Sequence, residues 1–316
     1  MQLIEAGRKA NSYTKVLKLM GNRFEITVIS SDPEWANECI DAGVEEIRRI
    51  EELLSTFKES SQTNAINENA GIQPVKVDQE VFDLIFRSLK ISSLTQGAFD
   101  ISYGSVDKKL WNFDTSMTSL PDKETAKASV KRINYRNVIL DDKENSVFLK
   151  EKGMRIGFGG IGKGYAADRA KKILQQMGVT NGVVNAAGDL ITWGNQVNGK
   201  PWTIGIADPR VQHHPFSYLN ISDMAVATSG NYEKYAEIDG KKYSHTIDPK
   251  TGFPVSGIKS VTIICPSAEL ADAMATPVMV MGIRAGLDLI NQMKSIACIV
   301  IDDNNNLYTS DNIEIR

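Results

Sequence analysis

Five of the eight residues from 157 to 164 are glycine, in the stretch GFGGIGKG. The residues that follow, YAADRAKKILQQM, carry helical apolar spacing and end at Gly178. A run this rich in glycine makes a poor helix or strand interior, because glycine loses the most backbone freedom on ordering. It reads as a tight loop that feeds a helix N-terminus. Such a loop lets the backbone come close to a ligand, and the exposed amides of the helix start attract an anion. Lys163 places a cation at the same spot. The alternative is a packing turn with a solvated lysine. Two familiar templates overlap here and neither holds. Gly157, Gly159 and Gly162 satisfy GxGxxG, but the acid expected about 20 residues later is missing, since Met177-Gly178-Val179-Thr180-Asn181 stands there. Gly157, Gly162 and Lys163 satisfy most of GxxxxGK, but the Ser or Thr required after the lysine is Gly164.

The rest of the chain alternates strand and helix patterns. RFEITVIS (23–30) predicts a strand from its two-residue periodicity. Asp32-Pro33 then predicts a helix start, and Ile40, Val44, Ile47 and Leu54 recur at helical spacing. Residues 79–95 predict a second amphipathic helix, stopped by Gly97. Residues 114–130 are polar, with Pro121, and read as a surface loop and a short helix. Residues 132–151 predict a hairpin turning at DDKEN. VVNAAGDLITWG and PWTIGIADP read as strands with turns. The last third predicts a strand at 260–265, helices between about 269 and 293, and a strand at 296–301. There is no internal repeat and no break in composition. The pattern predicts an α+β fold, one compact domain of mixed and antiparallel sheets with packed helices. Residues 1–19 read as an N-terminal extension and 20–316 as the domain.

Composition excludes several classes. Formal net charge is -3, without the basic excess of a nucleic-acid binder. No apolar run approaches the roughly 20 residues that cross a bilayer. MQLIEAGRKANSYTK lacks both the apolar core of a signal peptide and a cysteine that could carry a lipid, so the sequence as it stands predicts a cytoplasmic protein. Cys39, Cys265 and Cys298 are far apart and form no CxxC pair, which argues against zinc and for buried thiols. His213-His214 sits between polar residues and Pro215 and reads as solvated.

Nine segments, in order, carry a resemblance: MGNRFEITV (20–28), LLSTFKESSQTNAIN (53–67), GAFDISYG with LWNF (97–113), GGIGKGYAADRA (159–170), VVNAAGDLITWG (183–194), WTIGIADP (202–209), ATSGNYEKY (227–235), YSHTIDPKTGFPV (243–255) and ELADAMATPVMVMG (269–282). Together they resemble the bacterial FAD:protein FMN transferases of the ApbE type. YSHTIDPKTGFPV and ADAMAT are the most specific of them. The resemblance implies a T-fold-related architecture and a magnesium-dependent enzyme. Such an enzyme splits FAD, attaches the FMN half through a phosphoester to a Thr or Ser of an acceptor flavoprotein, and releases AMP. The acceptors it implies are subunits of redox-driven membrane complexes, and the family is usually exported or membrane-anchored.

The resemblance also assigns residues. Magnesium would be held by the side chains of Asp272 and Thr276 and the carbonyls of Gly160 and Ala275. That set is chemically sensible: Asp272 and Thr276 are four apart and share a helix face, and magnesium prefers hard oxygen ligands. The flavin nucleotide would lie over Met20, Phe57 and the Ala98-Phe99-Asp100 turn, and against Gly157, Lys163 and Thr246. Taken alone, Met20 and Phe57 read as core residues, and Asp100 reads equally as a turn cap. Lys163 would stabilise phosphate charge, Asp272 would act through the metal, and His245 would accept the attacking hydroxyl's proton or serve as a structural histidine beside Asp248-Pro249. The chain departs from the family where Gly157 replaces an aspartate that contacts FAD, where MGN replaces MGT, and where AAGD replaces AGGD. Two other functions fit the same site: a pyrophosphatase that yields FMN and AMP, and a binder of FAD without turnover.

Overall fold

The computed structural model describes residues 9–106, 110, 119–207, 215–230, 235–238 and 241–313. Its helices among these residues are α1 (Pro33–Leu54), α2 (Gln62–Glu68), α3 (Gln79–Leu94), α4 (Lys123–Ser129), α5 (Gly162–Gln176), α6 (Ala268–Met281) and α7 (Ile283–Asn291). Helices are mixed with antiparallel sheets, as an α+β chain requires. The chain parts into two compact units, each assembled from three segments. The first is Met1–Glu51, Lys163–Ala227 and Ile264–Ala271; the second is Glu52–Gly162, Thr228–Ile263 and Asp272–Arg316. Interleaving of this kind leaves no single linker, which is why the sequence shows no break in composition.

In the first unit, strands Asn11–Leu19, Asn22–Ser30, Gly182–Ala186 and Asp189–Trp193 lie side by side in that order, all antiparallel. Both hairpins close on two-residue loops. Met20 and Gly21 have φ of 49° and 74°, and Ala187 and Gly188 have 57° and 100°. Two successive left-handed residues are what a tight hairpin with the natural strand twist demands, and glycine supplies the second in each. Helix α1 begins where Asp32-Pro33 predicts: the Asp32 carboxylate accepts from the amides of Glu34 (3.0 Å) and Trp35 (3.2 Å). Ile40, Val44, Ile47 and Leu54 are buried, with Phe24, Ile26 and Val28 of the neighbouring strand also in the core. Glu46 ties α1 to α5 through Arg49 and Arg169, whose hydrogen bonds hold its carboxyl below the usual range.

Residues Asn11–Leu19, read from sequence as part of an extension, form a full strand paired from Asn11↔Ser30 to Leu19↔Asn22. Tyr13, Lys15, Leu17 and Leu19 alternate toward the more buried side. Lys15 breaks the apolar alternation that would have announced the strand; its ammonium pairs with Asp41.

The second unit holds α2, α3, α4 and α7. A small sheet orders Val75–Lys76, Ser146–Leu149 and Val138–Asp141, the last two being the predicted hairpin. A further run places Ile258–Cys265, Ala297–Asp302 and Leu307–Thr309 side by side. Ala126, Val130, Ile133 and Ile247 form a core cluster, against which Tyr103, Leu120 and Phe253 pack. All three cysteines are buried, and burial pushes the thiols of Cys265 and Cys298 up to about 11 and about 12. His213-His214 lies outside the described residues, as do Trp111 to Phe113 of LWNF.

Candidate functional site

Helix α6 is apolar on nearly every side: Ala271, Ala273, Met274 and Ala275 are all buried. Asp272 sits among them at 6% exposure, and a carboxylate in such surroundings is costly without partners of opposite charge or strong donors. Thr276 follows one turn later. Pro277, inside the helix, lacks the N–H that would meet the carbonyl of Ala273.

Gly160 lies close to this turn. A Cβ built on it would stand 3.6 Å from the Phe99 ring and 3.9 Å from Thr276 Oγ1. Thr276 Oγ1 is in turn 3.4 Å from Ser229 Oγ, on the strand Ala225–Gly230. Within the second unit, then, the fold brings together Gly160, Phe99 and Thr276. It adds Ser229, which the sequence alone does not single out. Among the described residues no group of three or more His, Cys, Asp or Glu converges on a point. A cation here would therefore meet one carboxylate and neutral oxygens.

The turn from Gly97 to Ser105 binds the neighbouring pieces. Gly97 has φ of 81°, and Ala98 and Phe99 are buried. The Asp100 carboxylate accepts from the Ser102 amide (2.8 Å) and hydroxyl (2.6 Å) through one oxygen and from the Tyr135 amide (2.9 Å) through the other. Asp100 thus caps this turn. Burial pushes its carboxyl up, against the opposing pull of these donors and of the Arg136 charge. Ile101 accepts the Gly157 amide at 3.0 Å, and Ser105 exchanges hydrogen bonds with Arg155. The Tyr103 hydroxyl accepts from the Ile247 amide at 3.1 Å, and burial pushes this phenol up to about 12. That bond fixes the chain just after His245 and Thr246, of which His245 is exposed and Thr246 buried.

Phe57 is 89% exposed, so its reading as a core residue is excluded. It follows Thr56, whose methyl would lie 3.7 Å from a Cβ on Gly157. Gly157 itself does not have the positive φ that only glycine tolerates well. Ala275 is buried.

In the first unit, half-buried Met20 sits in the left-handed first position of its hairpin turn, and its amide donates to Glu51 (3.0 Å). A methionine held at positive φ is strained, and such strain collects at functional turns. Lys163, in the first turn of α5, forms an ion pair with Asp189, which is buried at the start of the strand Asp189–Trp193. Asp189 is the acid of AAGD, to which the sequence alone assigns no role. Asp168, also unassigned, is on α5. It accepts from the Ser267 hydroxyl (2.8 Å) and from the amides of Ala268 and Glu269 (both 3.0 Å), capping the start of α6.

The sequence profile of the ApbE family matches residues 20–300 of the chain. A protein named FAD:protein FMN transferase, from Klebsiella pneumoniae (strain 342), is 33% identical over 307 residues, covering 96% of this chain and 93% of that protein. A crystal structure of the ApbE protein from Thermotoga maritima superposes with a TM-score of 0.86 at 32% identity, covering 95% of this chain and 97% of its own. The apo form of the Pseudomonas stutzeri flavinyl transferase ApbE gives a TM-score of 0.82 at 25% identity, covering 98% and 96%.

Proposed function

This chain belongs to the ApbE family, and we propose that it is a transferase that moves FMN from FAD to a hydroxyl of an acceptor protein. One observation carries this reading: Gly160 of the Gly-rich loop meets Thr276 of α6 and the ring of Phe99, with Asp272 one helical turn before Thr276. A loop that presents backbone, a buried carboxylate and neutral oxygens together suits a bound diphosphate and its cation.

Magnesium fits these residues. The donors are hard oxygens, and Asp272 is a buried carboxylate one helical turn from Thr276. Asp272, Thr276 and the carbonyls of Gly160 and Ala275 would hold the ion. When bound, it would neutralise charge on the phosphates.

The chain's own groups supply the rest. Lys163 exchanges Asp189 for a phosphate oxygen. Phe57, exposed on its loop, offers a ring face to a flat heterocycle. An acceptor Thr or Ser oxygen attacks the phosphorus of the FMN half, and the bond from that phosphorus to the oxygen bridging toward AMP breaks. AMP leaves with the bonding pair, and exposed His245 takes the hydroxyl proton. Most of the catalysis is positioning and charge neutralisation. The acceptor class we propose is a flavoprotein subunit of a redox-driven membrane complex.

The test is to incubate the purified protein with FAD, magnesium and a candidate acceptor, then measure AMP and flavin fluorescence retained on the denatured acceptor. Both signals support a transferase. AMP with free FMN alone indicates a pyrophosphatase. Neither signal, over several acceptors and with FAD bound, indicates a binder and overturns the proposal.

A further inference from the structure

We propose that Ser229 is a positioning residue that orients the Thr276 hydroxyl toward a bound cation, an inference that rests on the magnesium reading above. A hydroxyl has one proton and two lone pairs. To offer a lone pair to a cation, Thr276 must point its proton at some other acceptor.

In a helix that acceptor is ordinarily the carbonyl one turn earlier. Helix α3 shows the pattern three times: Ser88, Ser92 and Thr95 donate to the carbonyls of Leu84, Ser88 and Ile91 at 2.8, 2.9 and 2.8 Å. Thr276 does otherwise. Among the described residues its hydroxyl meets Ser229 Oγ at 3.4 Å, where either oxygen can donate; with a cation on the Thr276 oxygen, Ser229 would be the acceptor. Its oxygen faces Gly160, where the missing side chain leaves room beside it.

Ser229 is held in place from its own strand. The preceding residue, Thr228, bonds through its hydroxyl to that of Thr262 at 2.9 Å, which fixes the local register. The 3.4 Å separation exceeds the usual O–H···O distance of about 2.8 Å. A cation drawing on the Thr276 oxygen would make its proton more acidic and shorten the bond to Ser229. Partners of this outer kind set the direction and donor strength of a ligand without touching the ion.

The experiment is Mn²⁺ titration of the full chain, with and without FAD, followed by loss of the free-ion resonance, with melting temperature recorded for each variant. Ser229→Ala should weaken Mn²⁺ binding roughly tenfold, the lower range for an outer partner of a ligand. Ser229→Thr, which keeps a hydroxyl, should recover most of the affinity. Thr276→Val should weaken binding at least as much, and Ser229→Ala should add nothing in that background, because Ser229 acts through Thr276. Wild-type affinity in Ser229→Ala overturns the inference while leaving the metal reading intact. Additive losses in the double variant also overturn it, since Ser229 would then act independently. If the wild-type chain binds no Mn²⁺ in either condition, the magnesium reading itself fails.

Discussion

Asp100 and Lys163 look alike as sequence: each is a charged residue beside a glycine turn, and each has a claim on the nucleotide. The structure treats them differently. The Asp100 carboxylate is buried, and its two oxygens take three hydrogen bonds from groups within the same unit. Lys163 pairs with Asp189 through a flexible side chain that keeps 25% of its surface exposed. A charge wired into backbone amides belongs to the fold. A charge on a long, partly exposed side chain can turn from its partner toward a ligand. Burial and the number of fixed donors, not residue type, separate the two regions.

The largest effect should come from Lys163. Lys163→Ala should cut turnover by about 2–4 kcal/mol in transition-state stabilisation, if the ammonium acts on developing phosphate charge. Its melting temperature should fall as well, because the buried Asp189 carboxylate loses its counter-charge. Steady-state kinetics beside a melting curve checks both. A shift in melting temperature with unchanged turnover would reverse the assignment of the two regions.

Asp100→Asn should affect stability alone. The amide keeps one acceptor for Ser102, but its NH₂ then faces the Tyr135 amide, donor against donor. The expected cost is about 1–3 kcal/mol of stability, read from urea unfolding. Turnover per folded molecule should be nearly unchanged. A selective loss of FAD affinity in a fully folded variant would return Asp100 to the nucleotide.

These two outcomes mark how far the sequence alone could reach. Helix α1 was legible because Asp32, Pro33 and the Ile40–Val44–Ile47 spacing all point the same way. The approach of Gly160 to Thr276 was not legible from spacing, since the two lie far apart in the chain. Phe57 was not either, since a loop residue has no periodicity from which burial can be read. The pairing of Lys163 with Asp189 was also hidden: it spans 26 positions and depends on the Ala187-Gly188 turn that starts the strand Asp189–Trp193. Ser229 carries only a hydroxyl, and nothing in sequence distinguishes it from other serines until Thr276 is seen beside it.

Gly157 extends the comparison by adding a charge where the chain has none. Its φ is open to other residues, and an added Cβ would meet only the Thr56 methyl at ordinary contact. Gly157→Asp should therefore bind FAD more tightly than Gly157→Ala, by about tenfold, the worth of one charge-assisted hydrogen bond at the low end. Titration calorimetry on both variants decides it, and equal affinities would show that no adenosine group waits there.

The smallest and most discriminating change is Asp189→Asn. If Lys163 is held exchangeably, the carboxylate competes with phosphate for the same ammonium, and FAD must displace it on binding. Asparagine keeps the shape and a hydrogen-bond acceptor but removes the charge. FAD binding should then tighten, by up to about 1 kcal/mol or roughly fivefold, the upper worth of a partly exposed pair. The gain should shrink as salt rises, because salt screens the competing charge in the wild type as well. The opposite sign is equally informative. Weaker binding in Asp189→Asn, at unchanged melting temperature, would mean that Asp189 aims Lys163 at the phosphates and does not compete for it. Lys163 would then resemble Asp100 after all, a charge whose direction is fixed by the fold before any ligand arrives.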